Sequence, residues 1–426
     1  MLTTLRNAWH IPELRKKLIF TALIMLLYRI GNVVPGPFID VATLSAYFNS
    51  VLSDTILGLY NAMSGSAFSQ ATILALSIQP YINASIIVQL LTIALPFMER
   101  WAKEEGEEGK KKINLCTRIG TVALGLLMGW AYYMMLSQSG YGIVTESGFW
   151  PAIVIILTFT AGSAVVMWLG EQITEHGIGN GISMILFANI VSGLPAMAGN
   201  LINMFTPTLW WQGIIVIIGL VALVLLIIFV NDAERRIPVQ YAKRVVGRKV
   251  YGGQSSNLPI KVAMTGVMPI IFAQSIASLP ATICTFAGVD QKAWWYTTFF
   301  SANSAMYAVC YFLLIFFFSW FYASIQYDPV EIANNMKKNG GFVPGFRPGK
   351  PTADFIKKVI NKIVIFGAVY LGIVALLPIV AGDLMPNVQN LAIGGTSIII
   401  VVSVALETVK TLETQMLMRH YKGFLD

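Results

Sequence analysis

Catalysis needs ionisable or nucleophilic side chains at working distance, and this chain offers few candidates. Its three histidines, His10, His176 and His420, stand apart, with no acid or cysteine at the spacing of a triad or a metal site. Cys116, Cys284 and Cys310 form no CxxC pair and read as packing residues. GIGNGIS (177–183) misses the GxGxxG spacing and opens an apolar run, so it reads as a turn into a helix. No Walker loop is present, and neither an enzymatic reaction nor a cofactor is expected. The residues that do pose a chemical question are uncharged. SIQPYINASIIVQ (77–89) lies inside an apolar run over 71–97, yet holds a proline, two glutamines, an asparagine and two serines. At about 100° per residue, Gln79, Asn83, Ser85 and Gln89 share an arc of roughly 160° with Ile78, Ile82 and Ile86. Such groups either bond across a helix bundle or face something wet or passing.

The composition says what must position them. The chain has 426 residues, 56% hydrophobic and 12% charged, with mean hydropathy +0.68. Soluble domains carry about 25% charged residues. Apolar runs of about 17–25 residues, long enough to span a bilayer as helices, recur along the chain. The two-residue alternation of a barrel is absent. The class is an all-α polytopic membrane protein with about ten transmembrane helices, expected near 18–34, 71–97, 113–138, 150–169, 181–196, 210–230, 258–280, 304–325, 359–380 and 391–409. Trp150, Trp210 and Trp211 read as interfacial anchors.

Net charge is +8, and with the N-terminus inside only Lys292 of the 29 basic residues falls in an outer loop. Basic residues mark cytoplasmic loops, so both termini are expected in the cytoplasm. The N-terminal stretch, 1–17, reads as a basic amphipathic surface helix leading into a retained first span. Residues 18–196 then hold five spans and 197–409 five more, with cytoplasmic loops over about 231–257 and 326–358 and a cytoplasmic tail over 410–426. Halves with an odd number of spans, if they share a fold, are inverted relative to each other. The outer stretch 35–70 ends in SDTILGLYNAMSGSAFSQ. It reads as a short helix over 54–63, broken by SGS and re-entrant. Arg29, Glu171, Lys261, Glu407 and Lys410 lie near span ends, leaving no ionisable site at the midplane. A passive channel, a secondary transporter with inverted repeats and a pore-less scaffold are the classes in play.

Five stretches narrow the choice: SIQPYINASIIVQLL (77–91), WLGEQITEHGIGNGIS (168–183), RRIPVQYAKRVVGRKVYGGQSSNLPIKV (235–262), GFVPGFRPGKPT (341–352) and GGTSIII (394–400). In order and spacing they resemble the SecY family, the channel-forming subunit of the bacterial Sec protein translocon, over essentially the whole chain. The resemblance implies a channel of two inverted five-helix halves in the plasma membrane. It passes unfolded secretory polypeptides and releases signal peptides and membrane segments sideways into lipid. The implied waist is a ring of Ile78, Ile82, Leu186, Ile190, Ile271 and Ile400. The implied plug, about 54–69, comprises Asp54, Thr55, Ile56, Leu57, Gly58, Leu59, Tyr60, Asn61, Ala62, Met63, Ser64 and Gly65 at its centre. The implied lateral gate, between the second, third, seventh and eighth spans, carries Gln79, Asn83, Ser85, Gln89, Thr265 and Gln274. A charge on that seam would cost about 2.5–3.5 kcal/mol when facing lipid, which accounts for neutral polar groups there.

Basic loop residues Arg235, Arg236, Lys243, Arg244, Arg248, Lys249, Arg347 and Lys350 are the implied contacts for the ribosome, through rRNA phosphates, and for the SecA motor ATPase. SecE and SecG subunits, signal peptides, nascent chains and membrane lipids complete the implied partners. Two positions depart from the family pattern. Gln70 stands where members often carry arginine, and Ala263 where a gate asparagine is common. Gly125 and Gly129 form a small-xxx-small face read as helix packing.

Overall fold

The computed structural model describes residues 2–52, 56–146, 148–203, 205, 210–241, 244–246, 249–251, 255–264, 266–286, 294–299, 304–384 and 395–422. The first half contains α1 (Leu2–His10), α2 (Pro12–Gly31), α3 (Val41–Tyr47), α4 (Ile56–Ser64), α5 (Gln79–Ala94), α6 (Pro96–Lys103), α7 (Gly106–Gln138), α8 (Phe149–His176) and α9 (Gly181–Asn203). The second contains α10 (Trp210–Asp232), β1 (Glu234–Tyr241), β2 (Arg244–Val246), β3 (Lys249–Tyr251), β4 (Ser255–Lys261), α11 (Met268–Phe286), α12 (Trp294–Phe299), α13 (Ala305–Gln326), α14 (Pro329–Lys338), β5 (Gly341–Phe342), α15 (Lys350–Leu384) and α16 (Gly395–Lys422).

The ten expected spans correspond to α2, α5, α7, α8, α9, α10, α11, α13, α15 and α16. Among the described residues six helices are long and apolar enough to cross a bilayer, and the bent pair α5–α6 makes a seventh. The others have charged turns, as in α2 and α16, or a short apolar stretch, as in α11. α10 is apolar all round and leaves Ile218, Val221, Leu225 and Phe229 exposed, the pattern of a helix meant for lipid.

Two spans differ from expectation. The second begins as helix only at Gln79, because 65–78 runs as turns with positive φ at Gly65, Ser66, Ala71 and Ser77. It ends at Pro96, which bends the chain by 106° into α6. The seventh begins at Met268, ten residues past the expected start, because 255–261 forms β4 instead. β4 carries Pro259, and Gly266 follows with φ +60, so helix cannot start earlier. The membrane part is helical, but the loop after α10 is a β-ribbon. β1 lies at the centre of a three-stranded antiparallel sheet, pairing with β4 from Glu234↔Lys261 to Gln240↔Ser255 and with β5 at Gln240↔Phe342 and Tyr241↔Gly341. Ile237 and Val239 alternate inward on β1 and pack with Ile260, Val343 and Ile356.

Smaller elements fix the ends. Asp40 caps α3, accepting from the Ala42 amide at 3.0 Å and the Thr43 hydroxyl at 2.5 Å. The Thr43 hydrogen bond foremost, with the Ala42 amide, holds its carboxyl below the usual range. α1 packs on α16, where Ala8 and Leu14 share a buried cluster with Ile178 and Leu412. The helix therefore continues through the stretch expected as a tail, with Thr4 Oγ1 donating to Glu413 at 3.0 Å.

α7 and α8 approach closely at small residues, as the glycine pattern implies: a Cβ at Gly125 would lie 3.0 Å from Ser163 Oγ, and one at Gly129 3.2 Å from the Ile156 carbonyl. A closer approach still is at Gly162 on α8, where a Cβ would fall 1.8 Å from the Ile73 carbonyl. A Gly162→Ala variant is expected to lose about 1–3 kcal/mol through this backbone clash. A lowered thermal midpoint of the purified protein in detergent would register it; an unchanged midpoint would refute the contact.

Candidate functional site

The i, i+4 spacing of Ile78 and Ile82, and of Leu186 and Ile190, puts each pair on one helix face. Ile78 caps α5 and Ile82 follows one turn on; Leu186 and Ile190 lie on α9, Ile271 on α11 and Ile400 on α16. Each is at most 4% exposed, and all six belong to the main buried apolar core, which also takes in Met63 of α4, Val267 and residues of α2, α8, α10, α13 and α15. Within it α5 packs on α11 and α9 on α16. Such a junction holds no charge and no fixed dipole. It can exclude ions by refusing water, without selecting any particular side chain.

α4 abuts this cluster. Gln79 and Gln274, two of the predicted seam residues, line a small cleft with Tyr60 and Met63 of α4 and with Ser275, Ser278 and Tyr307. Gln79 Nε2 reaches the Met63 sulfur at 3.6 Å. Tyr60 Oη and Gln274 Oε1 are buried with no partner among the described residues. α11 packs against both α5 and α7, so the predicted seam is in contact along those helices. On α5, Ile82 and Ile86 face the aliphatic cluster, Ala84 meets α7 at Gly120, and Ile87 and Leu91 are exposed. Asn83, Ser85 and Gln89 are half-buried between these faces. Thr265 lies outside the described residues, as do Asp54 and Thr55; Ile56 to Ser64 form α4.

GIGNGIS is a turn into a helix. Asn180 Oδ1 accepts from the Ile182 amide at 3.0 Å and the Ser183 amide at 3.4 Å, opening α9, and Gly179 takes φ +79.

Sequence reasoning missed two features. Arg118, five residues into the expected third span, pairs with Glu171 of α8 through two contacts of 2.9 Å. It is half exposed and stands apart from the aliphatic cluster, so it ties α7 to α8 and builds no midplane site. The second is a set of polar groups at the end of α4. Asn189, fully buried, donates to the Met63 carbonyl at 2.8 Å and to Ser77 Oγ at 3.2 Å. An asparagine within the apolar run ILFANIV was the available signal.

The described members of the predicted basic set lie on two separate sheets, β4-β1-β5 and β2-β3, and on the stretch after β5. Arg235 and Arg236 are exposed on β1, with Arg236 Nε 2.6 Å from Glu234. Arg244 lies in β2 and Lys249 in β3, while Lys243 and Arg248 lie outside the described residues. The loop after β5 is shaped by Gly345 at φ +86 and Gly349 at φ +105, positions that only glycine occupies freely. Phe346 stacks on Phe355 with ring centroids 4.3 Å apart, and Thr352 Oγ1 donates to the Arg347 carbonyl at 2.8 Å. The backbone is pinned on both sides of Arg347 while its side chain stays exposed, and Lys350 follows at the exposed start of α15.

The SecY family profile matches residues 72–409. The protein translocase subunit SecY of Streptomyces galbus is 43% identical over 438 residues, covering all of both chains. The chain belongs to the SecY family. As a member it is a channel subunit and not an enzyme, in a multi-pass membrane fold. Two solved structures share that fold. One is a SecY channel whose plug domain is described as stabilising the closed state and maintaining a membrane seal (TM-score 0.65, 18% identity, 94% of this chain and 92% of that one). The other is Sec61 in the canine ribosome-channel complex from the endoplasmic reticulum (TM-score 0.63, 17% identity, the same coverage).

The unpartnered Gln274 oxygen generates a prediction. Gln274→Met keeps the volume and removes the orphan acceptor, so the protein should gain about 1 kcal/mol. The check is the thermal midpoint in detergent; a lower midpoint would mean that the amide is paired.

Proposed function

We propose that the chain is the pore subunit of a bacterial protein-secretion channel, and that its gate is the six-residue aliphatic junction. The observation supporting this reading is that Ile78, Ile82, Leu186, Ile190, Ile271 and Ile400, from four helices of both halves, are all buried in the main apolar core. The closed junction dewets. An unfolded polypeptide parts it, and the aliphatic side chains close around any sequence because they make no specific bond. α4 with its following turn is the plug. The seam between α5–α7 and α11–α13 is the lateral gate, where Gln79 and Gln274 meet across the cleft and where signal peptides and membrane segments leave toward lipid.

Both termini and the β-ribbon lie in the cytoplasm, in keeping with the charge asymmetry. The ribbon and the loop carrying Arg347 and Lys350 dock the ribosome through rRNA phosphates and, in turn, the SecA motor. The SecE and SecG subunits complete the complex. The channel supplies a path, and its partners supply the drive. A secondary transporter would need a charged or ion-coordinating site at the midplane, and among the described residues no group of three or more His, Cys, Asp or Glu side chains comes together.

Two measurements test this. Ile82→Gly opens the junction, and planar-bilayer recording of the reconstituted channel should show ion current without substrate; a silent variant would exclude Ile82 from the gate. Arg347→Ala removes the exposed charge from a pinned loop. It should abolish motor-driven import of a labelled precursor into inverted vesicles while leaving the amount of folded channel unchanged; wild-type import would refute the docking role.

A further inference from the structure

The last carbonyls of a helix have no partner within the helix and must find donors elsewhere when water is excluded. α4 ends at Ser64, and Gly65 follows with φ +67, the left-handed residue that closes a helix. Three consecutive carbonyls are then met by three side chains. Asn189 of α9 donates to Met63 at 2.8 Å, Asn32 at the end of α2 donates to Ser64 at 3.3 Å, and Arg29 of α2 donates to Gly65 at 3.4 Å. Asn189 and Asn32 are buried and linked to each other at 3.5 Å, and Asn189 also donates to Ser77 Oγ, which is 3.0 Å from Tyr28 Oη. The fit at Gly65 is close: a Cβ there would lie 2.7 Å from Arg29 Nη1 and 3.0 Å from Asn189 Oδ1.

We propose that Asn189, together with Asn32 and Arg29, is the latch that holds α4 in the closed channel by capturing the carbonyls of Met63, Ser64 and Gly65. This deepens the reading of α4 as the plug and rests on it. All three donors belong to the first half. On the side facing α11, Tyr60 Oη and Gln274 Oε1 are buried without partners. The grip is therefore one-sided. Asn189 also precedes Ile190 of the junction on the same turn of α9. A chain that pushes Ile190 aside displaces the amide that holds Met63, so gate opening and plug release are one motion. Gln70, standing where the family often has arginine, is exposed and unneeded for this purpose, because Arg29 supplies the charge from the opposite side.

The test uses the full channel reconstituted in planar bilayers and records ion current without substrate for Asn189→Leu, Asn32→Leu, a deletion of residues 56–64, and Asn189→Leu combined with that deletion. Losing a buried amide that satisfies a carbonyl should raise the closed-state current about tenfold in Asn189→Leu, and in the same direction but less in Asn32→Leu. The combined variant should conduct no more than the deletion alone, since Asn189 then has no Met63 carbonyl to hold. A leaking deletion beside two silent asparagine variants would overturn the latch and leave the plug reading intact. A leak from Asn189→Leu that adds to that of the deletion would place its action on the junction and also overturn the latch. A silent deletion would remove the plug reading and the latch with it. Should Asn189→Leu yield no folded channel, Asn32→Leu decides alone.

Discussion

Every backbone amide and carbonyl at membrane depth must find its partner inside the protein, because lipid offers none. Helices meet this requirement without help. The stretch 65–78, between α4 and α5, does not, and its surroundings are organised to satisfy it. The Ile73 amide donates to the Val34 carbonyl at 3.0 Å, the Gly36 amide to Ala71 at 2.8 Å, and Tyr132 Oη to Phe68 at 2.6 Å. Tight internal turns at Ala75 and Ser77 absorb further groups. The buried aromatics Phe68, Tyr132 and Phe159 pack ring on ring around this stretch, the first pair tilted and the second edge to face. The irregular segment is thus a built part, and its cost is met by α2, α7 and the loop after α2.

That irregularity sets the geometry of the channel. It returns the chain into the bundle, delivers Ile78 to the main apolar core, and leaves α4 beside it. A continuous helix over 71–97 would have lacked the turns that bring α4 against α9. One broken span thus places Ile78 and anchors α4 together.

Much of this was legible in the sequence. Hydropathy located α10 and α13 to within two residues at either end, because their apolar runs are bounded by polar or capping residues such as Asn231 and Ser304. The family resemblance carried by five stretches implied the six aliphatics, and all six are buried in the main apolar core. The start of α5 was hidden because 71–78 is as apolar as a helix and its turns are dictated by tertiary hydrogen bonds. β4 was hidden for the opposite reason: SNLPIKV is semi-apolar and adjoins a true span, so a hydropathy window merges the two. The asparagines at the end of α4 were visible as residues, but their role depends on a helix end that lies 126 positions from Asn189 and 32 from Asn32.

One feature of the β-ribbon reaches beyond docking. β1 continues directly from α10, β4 leads toward α11, and β5 adjoins the loop that opens α15, so the central strand joins elements that feed three separate helices of the second half. A displacement of the loop that opens α15 would therefore pass as shear through the sheet's backbone ladder to the ends of α10 and α11. The ladder makes one mechanical unit of the entries to three helices.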